Sequence, residues 1–461
     1  MCGVLAIRAP GRDVARLAYF GLFALQHRGQ ESAGIAVSDG ERVTALRDMG
    51  LVTQVFSEQK LRGLRGQAAI AHCRYSTTGG ARWANAQPIV HHGPARTVAV
   101  GHNGNVVNAG SLREELMSRG VKLRSTSDTE VIAAVLAHDM RPLEKAVAAA
   151  IERLEGAFTV VLLAEGKLVG FRDRHGIRPL VVGDLDGDAL LASETCALDL
   201  LGAEPVRDVD PGELVVIDED GLRSRQVVEA RGKAALCIFE FIYFARPDSR
   251  LRGVELHGAR VRMGEQLADE APVEADVVIP IPDSGTPAAI GFARASGIPF
   301  NEGLIKNRYV GRTFIQPDQT LREHGIKTKF NPLTEVSGQR IVVVDDSIVR
   351  GTTTRQIVAA LLEEGALEVH VRVSSPPIVS PCFYGIDMAT EGELIAAGRT
   401  IDETRHAIGA TSLAFLSLDG LQAATRRPET TFCRACLTRR YPTRVPEGLA
   451  LAKHRFELAR S

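Results

Sequence analysis

The chain has 461 residues, 45% of them apolar and 24% charged, which is enough for two or three globular domains. Its 55 Lys and Arg residues balance its 56 Asp and Glu residues, so the overall charge gives no reason to expect nucleic acid or an anionic membrane as a partner. The opening run CGVLAI lacks a basic leader and a cleavage site, no stretch is long enough to span a membrane, and the seven cysteines are scattered, so we expect a cytoplasmic enzyme.

The first half of the sequence alternates β-rich runs with helical segments. Residues 13–29 and 127–140 carry apolar side chains at helical spacing. Residues 157–173 and 179–194 each hold two β-rich runs around a short turn, Glu-Gly-Lys in the first and an Asp/Gly turn in the second. Antiparallel hairpins combined with helices predict an α+β sandwich of layers.

The second half changes to the pattern of a parallel, doubly wound sheet. Short apolar strands are predicted at 275–282, 340–346 and 368–375, and helices at 284–296 and 351–365. The polar stretch 225–235 separates the two styles, so we predict one domain over residues 2–230 and another over residues 231–461. The last forty residues are expected to form a tail that packs on the body.

The stretch IVVVDDSIVRGTTT, residues 341–354, joins a buried strand to a loop of small donors. Ligands of parallel sheets bind beyond the carboxyl ends of the strands, where Asp345 and Asp346 fall. Two adjacent carboxylates repel each other unless a cation neutralises them, and Mg²⁺ is one candidate. Hydroxyl and backbone donors at the following helix start favour an anion. A solvated turn would explain any single Asp or Thr of the run, but it does not explain the whole run.

This run resembles the phosphoribosyl-pyrophosphate (PRPP) loop of type I phosphoribosyltransferases, and PIPDSGTPAA, residues 280–289, resembles their pyrophosphate-facing loop. The resemblance implies that Asp345 and Asp346 hold the ribose hydroxyls and Mg²⁺, that Ser284 helps to bind the metal, and that residues 347–353 wrap the 5-phosphate. The implied PRPP-binding residues are Asp283, Ser284, Gly285, Thr286, Asp345, Asp346, Ser347, Ile348, Val349, Arg350, Gly351, Thr352 and Thr353.

Residues 306–330 carry six Lys and Arg residues with Gly and Pro between them. Such a run is usually a solvated face. Here it resembles the loop that closes over pyrophosphate in one branch of the same family. The implied loop and nucleotide contacts are Lys306, Arg308, Tyr309, Lys327 and Lys329.

The second residue, Cys2, becomes the amino terminus if Met1 is removed. A terminal cysteine combines a thiol nucleophile with an α-amine of pKa about 7.7–8.0, which is suited to act as its general base on an amide carbonyl. Taken alone, a start of Met-Cys is better explained by a small apolar residue that opens a strand.

Further segments at 25–34, 71–80, 101–108 and 125–130 resemble, in this order, the glutaminase domain of N-terminal-nucleophile amidotransferases, an αββα sandwich. The resemblance implies that Arg74 and Asp128 bind the carboxylate and amine of glutamine. It also implies that the Asn103 amide and the Gly104 N–H form an oxyanion hole, the donor pair that acyl transfer requires. Arg28 and Gly29 would line the pocket. Cys73 stands where a small apolar residue is usual, and we assign it to packing.

Taken together, the two halves resemble the amidophosphoribosyltransferase family from Cys2 to about Tyr441. This resemblance implies that Cys2 releases ammonia from glutamine and that the ammonia is channelled to PRPP, giving 5-phosphoribosylamine, glutamate and pyrophosphate in the first committed step of purine synthesis. Feedback inhibition by purine nucleotides and a homotetramer are implied by the resemblance alone. No propeptide other than Met1 is implied.

Four cysteines lie outside this chemistry: Cys237, Cys382, Cys433 and Cys436. Four thiols suit zinc as well as an iron–sulfur cluster, and the sequence does not separate the two, nor does it exclude a reduced pair near the tail. The resemblance to the iron–sulfur branch of the family implies a 4Fe–4S cluster with a structural role. Cys196 is assigned to the core.

Two other functions are weighed against this one. Another glutaminase-led synthase, making an amino sugar or asparagine, should lack the 341–354 loop. A regulatory protein that binds PRPP without transfer should not retain Cys2, Arg74, Asn103 and Asp128 together.

Overall fold

The computed structural model describes residues 1–76, 78–229, 234–307, 329–388, 390–428 and 431–445. Two of its strand layers belong to the first half of the chain, and a third layer belongs to the second half. Among the described residues, no helix combines the length and the apolar character needed to cross a bilayer.

The first sheet contains the amino-terminal strand at its centre. All of its strand pairs are antiparallel, and Gly3–Arg8 lies between Asp188–Ala192 and Ala68–Arg74. In spatial order its described strands are Glu204–Asp208, Val181–Leu185, Asp188–Ala192, Gly3–Arg8, Ala68–Arg74, Ser32–Ser38 and Val43–Met49. Residue 2 therefore stands at the start of a central, buried strand.

The second sheet is also antiparallel and faces the first. In spatial order its described strands are Gly221–Gln226, Glu213–Asp218, Lys167–Arg172, Gly156–Ala164, Thr97–Val106 and Ile89–His92. One buried cluster joins the facing sides of both sheets, with Val4 and Ile70 from the first sheet and Val161 and Val215 from the second. The side chains that point to the outer face of each sheet, such as Leu5 and Ile7 in the first and Val160 and Leu162 in the second, are apolar as well, so both outer faces need cover.

Helices supply that cover on both sides. Val14–Ala24 and Thr195–Leu201 pack on the outer face of the first sheet, whereas Ala109–Ser118, Asp128–Ala137 and Leu143–Arg153 pack on that of the second sheet. The first half is therefore an αββα sandwich, as the resemblance implied. Its remaining described helical turns are Gln26–Arg28, Val52–Val55, Glu58–Arg62 and Trp83–Asn85.

Both predicted hairpins of the first half are confirmed, including their turns. Gly156–Ala164 and Lys167–Arg172 are joined through Glu165 and Gly166, which have φ of +52° and +70°. Asp186 and Gly187 join the second hairpin with φ of +53° and +94°. Two consecutive left-handed residues are the geometry of a type I′ turn, which matches the twist of the paired strands.

The second half is built on a parallel sheet. Its described strands, in spatial order, are Val277–Pro280, Arg340–Asp345, Glu368–Val373 and Ser412–Phe415. The sequence singled out the first three. The fourth is a short edge strand with mostly half-buried residues, so it carries little of the apolar pattern of a central strand. The described helices of this half are Leu256–Glu270, Thr286–Ser296, Thr352–Glu363, Ile401–Ile408, Leu418–Thr425 and Ala435–Thr438.

Small paired strands and short turns complete the second half. Leu236–Cys237 pairs in parallel with Phe432–Cys433, so the tail is tied to the start of this half. Tyr441 continues the contact by packing against the rings of Phe383 and Tyr384. The remaining described elements are the pairs Arg250–Leu251 with Val254–Glu255 and Leu304–Lys306 with Phe330–Pro332, the π-helix Glu240–Phe244, and the 3₁₀ turns Thr334–Val336 and Glu391–Glu393.

Candidate functional site

Cys2 lies buried at the start of the central strand of the first sheet, with 7% of its surface exposed. Its backbone nitrogen donates to Asn103 Oδ1 at 3.0 Å, and its thiol lies 3.5 Å from the carbonyl oxygen of Tyr75. Burial raises the pKa of the Cys2 thiol above its ordinary value, so the thiolate needs a nearby base to form. That backbone nitrogen becomes the α-amine if Met1 is removed.

Asn103 and Gly104 lie on the strand Thr97–Val106, directly beside Cys2. Asn103 Nδ2 is fully buried and has no hydrogen-bond partner among the described residues. A buried amide donor without a partner costs free energy, which is acceptable where a ligand oxygen completes the bond. Gly104 has φ of +146°, and a Cβ there would stand 2.0 Å from the carbonyl oxygen of Ala157, so this position requires glycine.

Arg74 and Asp128 both lie buried in the same domain. The Arg74 guanidinium donates to the carbonyl oxygens of Gly80 and Gly79 at 3.0 and 2.8 Å and lies 3.7 Å from Glu31. Asp128 begins the helix Asp128–Ala137, and its Oδ2 accepts from the Val106 amide at 3.0 Å. The electrostatic influence of Arg74 reaches the Cys2 thiol. Binding of glutamine by Arg74 and Asp128 stays a prediction.

Arg28 lies directly against the nucleophile, and its role in the wall of the glutamine pocket stays a prediction. Its side chain is fully buried, Nε donates to the Cys2 carbonyl oxygen at 2.9 Å, and the other nitrogens contact Glu194 and Glu240. The guanidinium is thus enclosed by two carboxylates. Gly29 packs so closely on the next strand that a Cβ would stand 2.5 Å from the backbone of Arg74.

Asp345 and Asp346 stand at the carboxyl end of the strand Arg340–Asp345 and are both buried. Burial raises the pKa of Asp345 well above its usual range, and the neighbouring Asp346 adds to this. Burial also raises the pKa of Asp346, although hydrogen bonds from Ser284 and Ser347 and the charge of Arg260 oppose it. A cation placed beside these two acids would lower the pKa of both.

The loop after these acids turns sharply into the helix Thr352–Glu363. Gly351 has φ of +72°, and a Cβ there would meet Ile395 at 2.2 Å, so only glycine fits this turn. A cavity of about 250 Å³ opens at this helix start. Its lining includes Arg350, Gly351, Thr352, Arg355, Glu393 and Arg399. Backbone donors and arginines at a helix start form an environment that suits a phosphate group.

The loop that resembles a pyrophosphate-facing loop leads into the helix Thr286–Ser296. Asp283 is largely exposed and pairs with Lys306. Gly285 packs against the end of the neighbouring strand, where a Cβ would stand 2.6 Å from the Val344 carbonyl oxygen. Lys329 lies over the ring of Phe330, with 5.6 Å from Nζ to the ring centroid. Arg308, Tyr309 and Lys327 lie outside the described residues.

The four remaining cysteines come together although they are far apart in sequence. Cys237 and Cys433 are register partners on the parallel strand pair. Burial and the nearby thiols of Cys382, Cys237 and Cys433 raise the pKa of Cys436 well above its ordinary value. The amide of residue 379 donates to the Cys436 carbonyl oxygen at 2.9 Å, which brings the segment before Cys382 against the tail. Four thiols in one place are a donor set for an iron–sulfur cluster or zinc.

No group of three or more His, Cys, Asp or Glu side chains among the described residues is arranged to hold one metal ion. A single zinc ion needs its sulfur ligands about 2.3 Å from one centre. Mg²⁺ differs, because one or two carboxylates suffice when substrate phosphates and water supply the other ligands.

Several residues of this region were not identified from the sequence. Asn105 donates to the Phe383 carbonyl oxygen at 2.9 Å and Tyr75 O–H lies 3.4 Å from Asp387, so both contact the second half. Glu240 is a lone acid inside the apolar run CIFEFIYF, and such a residue is rarely buried without a partner. That isolation is the signal that could have identified it.

Comparison with known proteins identifies both halves. A glutamine amidotransferase domain model matches residues 72–200, and a phosphoribosyl transferase domain model matches residues 261–375. The chain is 50% identical over 470 residues to an amidophosphoribosyltransferase of Mycobacterium tuberculosis, covering 99% of this chain and 89% of that protein. It is 52% identical over 464 residues to one of Synechococcus elongatus, covering 99% and 94%.

Two solved structures share the fold of this chain over nearly its whole length. The glutamine PRPP amidotransferase of Bacillus subtilis, complexed with ADP and GMP, superposes with a TM-score of 0.91 at 44% identity, covering 97% of this chain and 98% of that one. A structure described as the allosteric regulatory enzyme of purine biosynthesis superposes with a TM-score of 0.92 at 44% identity, covering 98% and 99%.

Proposed function

The chain belongs to the amidophosphoribosyltransferase family, and we propose that Cys2 of its first domain supplies the ammonia that the 341–354 loop of its second domain consumes. The enzyme transfers the amide nitrogen of glutamine to PRPP, giving 5-phosphoribosylamine, glutamate and pyrophosphate in purine biosynthesis. The observation that carries the assignment of the nucleophile is the pairing of Cys2 with Asn103, whose second amide atom is buried and unpartnered.

The glutaminase half-reaction begins at the Cys2 thiol. The α-amine exposed by removal of Met1 accepts the thiol proton, and the thiolate attacks the side-chain amide of glutamine. Asn103 Nδ2 and the Gly104 N–H donate to the oxygen that becomes negative in the tetrahedral intermediate. The protonated α-amine returns this proton to the amide nitrogen, which leaves as ammonia, and a glutamyl thioester remains on Cys2 until water releases glutamate and restores the thiol. Arg74 and Asp128 hold the carboxylate and amine of the substrate.

In the second domain, Asp345, Asp346 and the Ser284 hydroxyl would hold Mg²⁺ together with substrate oxygens. When bound, this ion neutralises charge on the departing pyrophosphate. Residues 347–353 surround the 5-phosphate with backbone donors, and the two carboxylates orient the ribose. The sugar C1 is thereby presented to ammonia from one side while pyrophosphate departs from the other.

Direct contacts between the two domains support a shielded transfer of ammonia. The segment of the second half around Phe383 and Gly385 lies against the strand Thr97–Val106, since a Cβ on Gly385 would stand 3.0 Å from the Gly104 carbonyl oxygen. Asn105 and Tyr75 bond to the same segment. Exclusion of water along this contact keeps ammonia unprotonated and nucleophilic.

The test of the function is a single assay with two nitrogen donors. Purified protein, Mg²⁺ and PRPP should release pyrophosphate with either glutamine or ammonium, and only the glutamine reaction should yield glutamate. A protein that consumes PRPP with neither donor would contradict the function assigned here.

We further propose that Cys237, Cys382, Cys433 and Cys436 hold a 4Fe–4S cluster whose role is to tie the tail to the body. The convergence of the four thiols around the strand pair supports this. Burial raises the pKa of Cys237, Cys433 and Cys436, so cluster binding, which requires thiolates, releases protons from these three residues.

Anaerobically purified protein is expected to contain about four iron and four sulfide per chain, with visible charge-transfer absorbance. Cys433→Ser should lose most of this iron because one thiolate ligand is removed, whereas Cys196→Ala, a buried thiol outside the group, should keep it. Metal and sulfide contents are measured in wild type, Cys433→Ser and Cys196→Ala. Stoichiometric zinc without iron would show that the four thiols serve another metal.

Nucleotide inhibition and a homotetramer are also proposed. The complex of the Bacillus subtilis relative with ADP and GMP supports the first, with Lys306 and Lys329 as described candidates for contacts. Initial rates with purine nucleoside mono- and diphosphates test inhibition, and sedimentation equilibrium measures the number of subunits.

A further inference from the structure

Two arginines and two glutamates form a fully buried charge cluster between the domains. Arg28, Arg178 and Glu194 come from the first domain and Glu240 from the second, and all four side chains are 0% exposed. Arg28 donates to both oxygens of Glu240 at 3.0 and 2.9 Å, and Arg178 lies 3.6 Å from the same carboxylate. We call these four residues the interdomain charge cluster. Its two positive and two negative charges balance.

Glu240 is held in place by its own domain. It begins the π-helix Glu240–Phe244, and the buried Arg260 donates to the carbonyl oxygens of Phe241 and Ala245 at 2.8 and 2.7 Å and to that of Glu240 at 3.4 Å. This guanidinium fixes the backbone that carries the carboxylate. The main chain at Glu240 is therefore held by contacts within its own domain, independently of Arg28.

Arg28 in turn fixes the nucleophile. Its Nε donates to the Cys2 carbonyl oxygen at 2.9 Å, while Asn103 Oδ1 accepts from the Cys2 nitrogen at 3.0 Å. Both backbone groups of Cys2 are thus held. The other carboxylate on Arg28, Glu194, is shared with His27, the Arg246 amide and Ser249. Glu240 is the acid that binds Arg28 with both of its oxygens.

We propose that Glu240 is a positioning residue of the glutamine-hydrolysing site, through which the phosphoribosyltransferase domain fixes the carbonyl of Cys2 by way of Arg28. Glu240 touches no reacting atom. Its carboxylate sets the place of the guanidinium, and the guanidinium sets the place of the nucleophile's backbone. This inference rests on the proposed role of Cys2 and adds a residue of the other domain to that site.

The experiment compares Glu240→Gln with wild type by two readouts. One is the rate at which Cys2 is alkylated by a diazoketone analogue of glutamine, measured without PRPP. The other is pyrophosphate release with ammonium, which needs only the second domain. Because misplacement of a reacting group by about 1 Å costs on the order of 100-fold, alkylation should slow about 10- to 100-fold while the ammonium reaction stays within about twofold.

Two further variants separate positioning from stability. Glu240→Asp keeps the charge but withdraws the carboxylate by one methylene, so it should also slow alkylation even where Glu240→Gln folds poorly. Glu213→Gln removes an acid that is likewise buried and bound at both oxygens by an arginine, Arg207, at 2.9 and 2.6 Å, but that does not contact Cys2 or Arg28. Glu213→Gln should leave the alkylation rate unchanged even if it lowers thermal stability as much as the Glu240 variants do.

Iron content is measured in every preparation, because Cys237 lies close to Glu240. Alkylation at the wild-type rate in both Glu240 variants, or an equal fall of the alkylation and ammonium reactions, would overturn the proposal. Failure of wild-type protein itself to be alkylated at Cys2 would instead contradict the proposed function.

Discussion

Replacement of Cys2 by alanine is expected to lower glutamine-dependent synthesis of phosphoribosylamine at least about 1,000-fold, since removal of a covalent nucleophile abolishes the thioester route. The ammonium-dependent reaction should stay within about twofold of wild type. The sugar site lies on another sheet, and a side chain as small as alanine fits where the buried thiol packs. The ratio of the two activities therefore reports the nucleophile alone.

The measurement is pyrophosphate release with each donor in the same preparation, together with glutamate release in the absence of PRPP. Cys196→Ala is the matched control, because Cys196 is also a buried thiol of the first domain but contacts neither Cys2 nor Asn103 among its described partners. Full glutamine-dependent activity in Cys2→Ala would place the nucleophile elsewhere. An equal fall with both donors would mean that the change disturbs the second domain as well.

Much of this fold follows from local rules that the sequence displays. The turns at Glu165–Gly166 and Asp186–Gly187 are confirmed. Glycine and aspartate adopt the left-handed backbone conformation readily, and a turn with that conformation matches the twist of the two paired strands. The strand before Asp345 and the helix after Gly351 are also confirmed. Both are predicted by local patterns, a continuous apolar run for the strand and a helix-start signal for the helix.

What the sequence could not supply is contact between distant segments. The strand Thr97–Val106 contains Gly101, Asn103 and Gly104, residues that disfavour strands, and is held by its neighbours in the sheet instead. Arg28 finds Glu240 at a separation of 212 residues. No local pattern predicts such a pair, so nothing in the sequence indicates that Arg28 belongs to a buried charge cluster.

Replacement of Asp346 by asparagine is expected to lower both the glutamine- and the ammonium-dependent reactions about 100-fold or more, because the substrate pocket loses one of the two acids that orient the ribose and Mg²⁺. Asp276→Asn is the matched control. Asp276 accepts a hydrogen bond of 2.9 Å from Arg340, which begins the strand Arg340–Asp345 at the end far from the pocket. Replacing Asp276 therefore tests the stability of the sheet without changing the pocket. Its activity with both donors should remain close to wild type.

The raised pKa values of Asp345 and Asp346 add a pH dependence to this prediction. In the free enzyme these acids hold their protons to higher pH than an ordinary aspartate, whereas a bound cation requires the ionised form, so binding of Mg²⁺ and PRPP releases protons. The affinity should therefore weaken as the pH falls, by up to about tenfold per pH unit for one proton. Asp346→Asn removes the negative charge that helps to raise the pKa of Asp345, so the affinity of this variant for Mg²⁺ and PRPP should depend less on pH.

Calorimetric titrations in two buffers of different ionisation enthalpy count the protons released. Equal proton release by wild type and Asp346→Asn would show that these two acids are not the groups that ionise on binding.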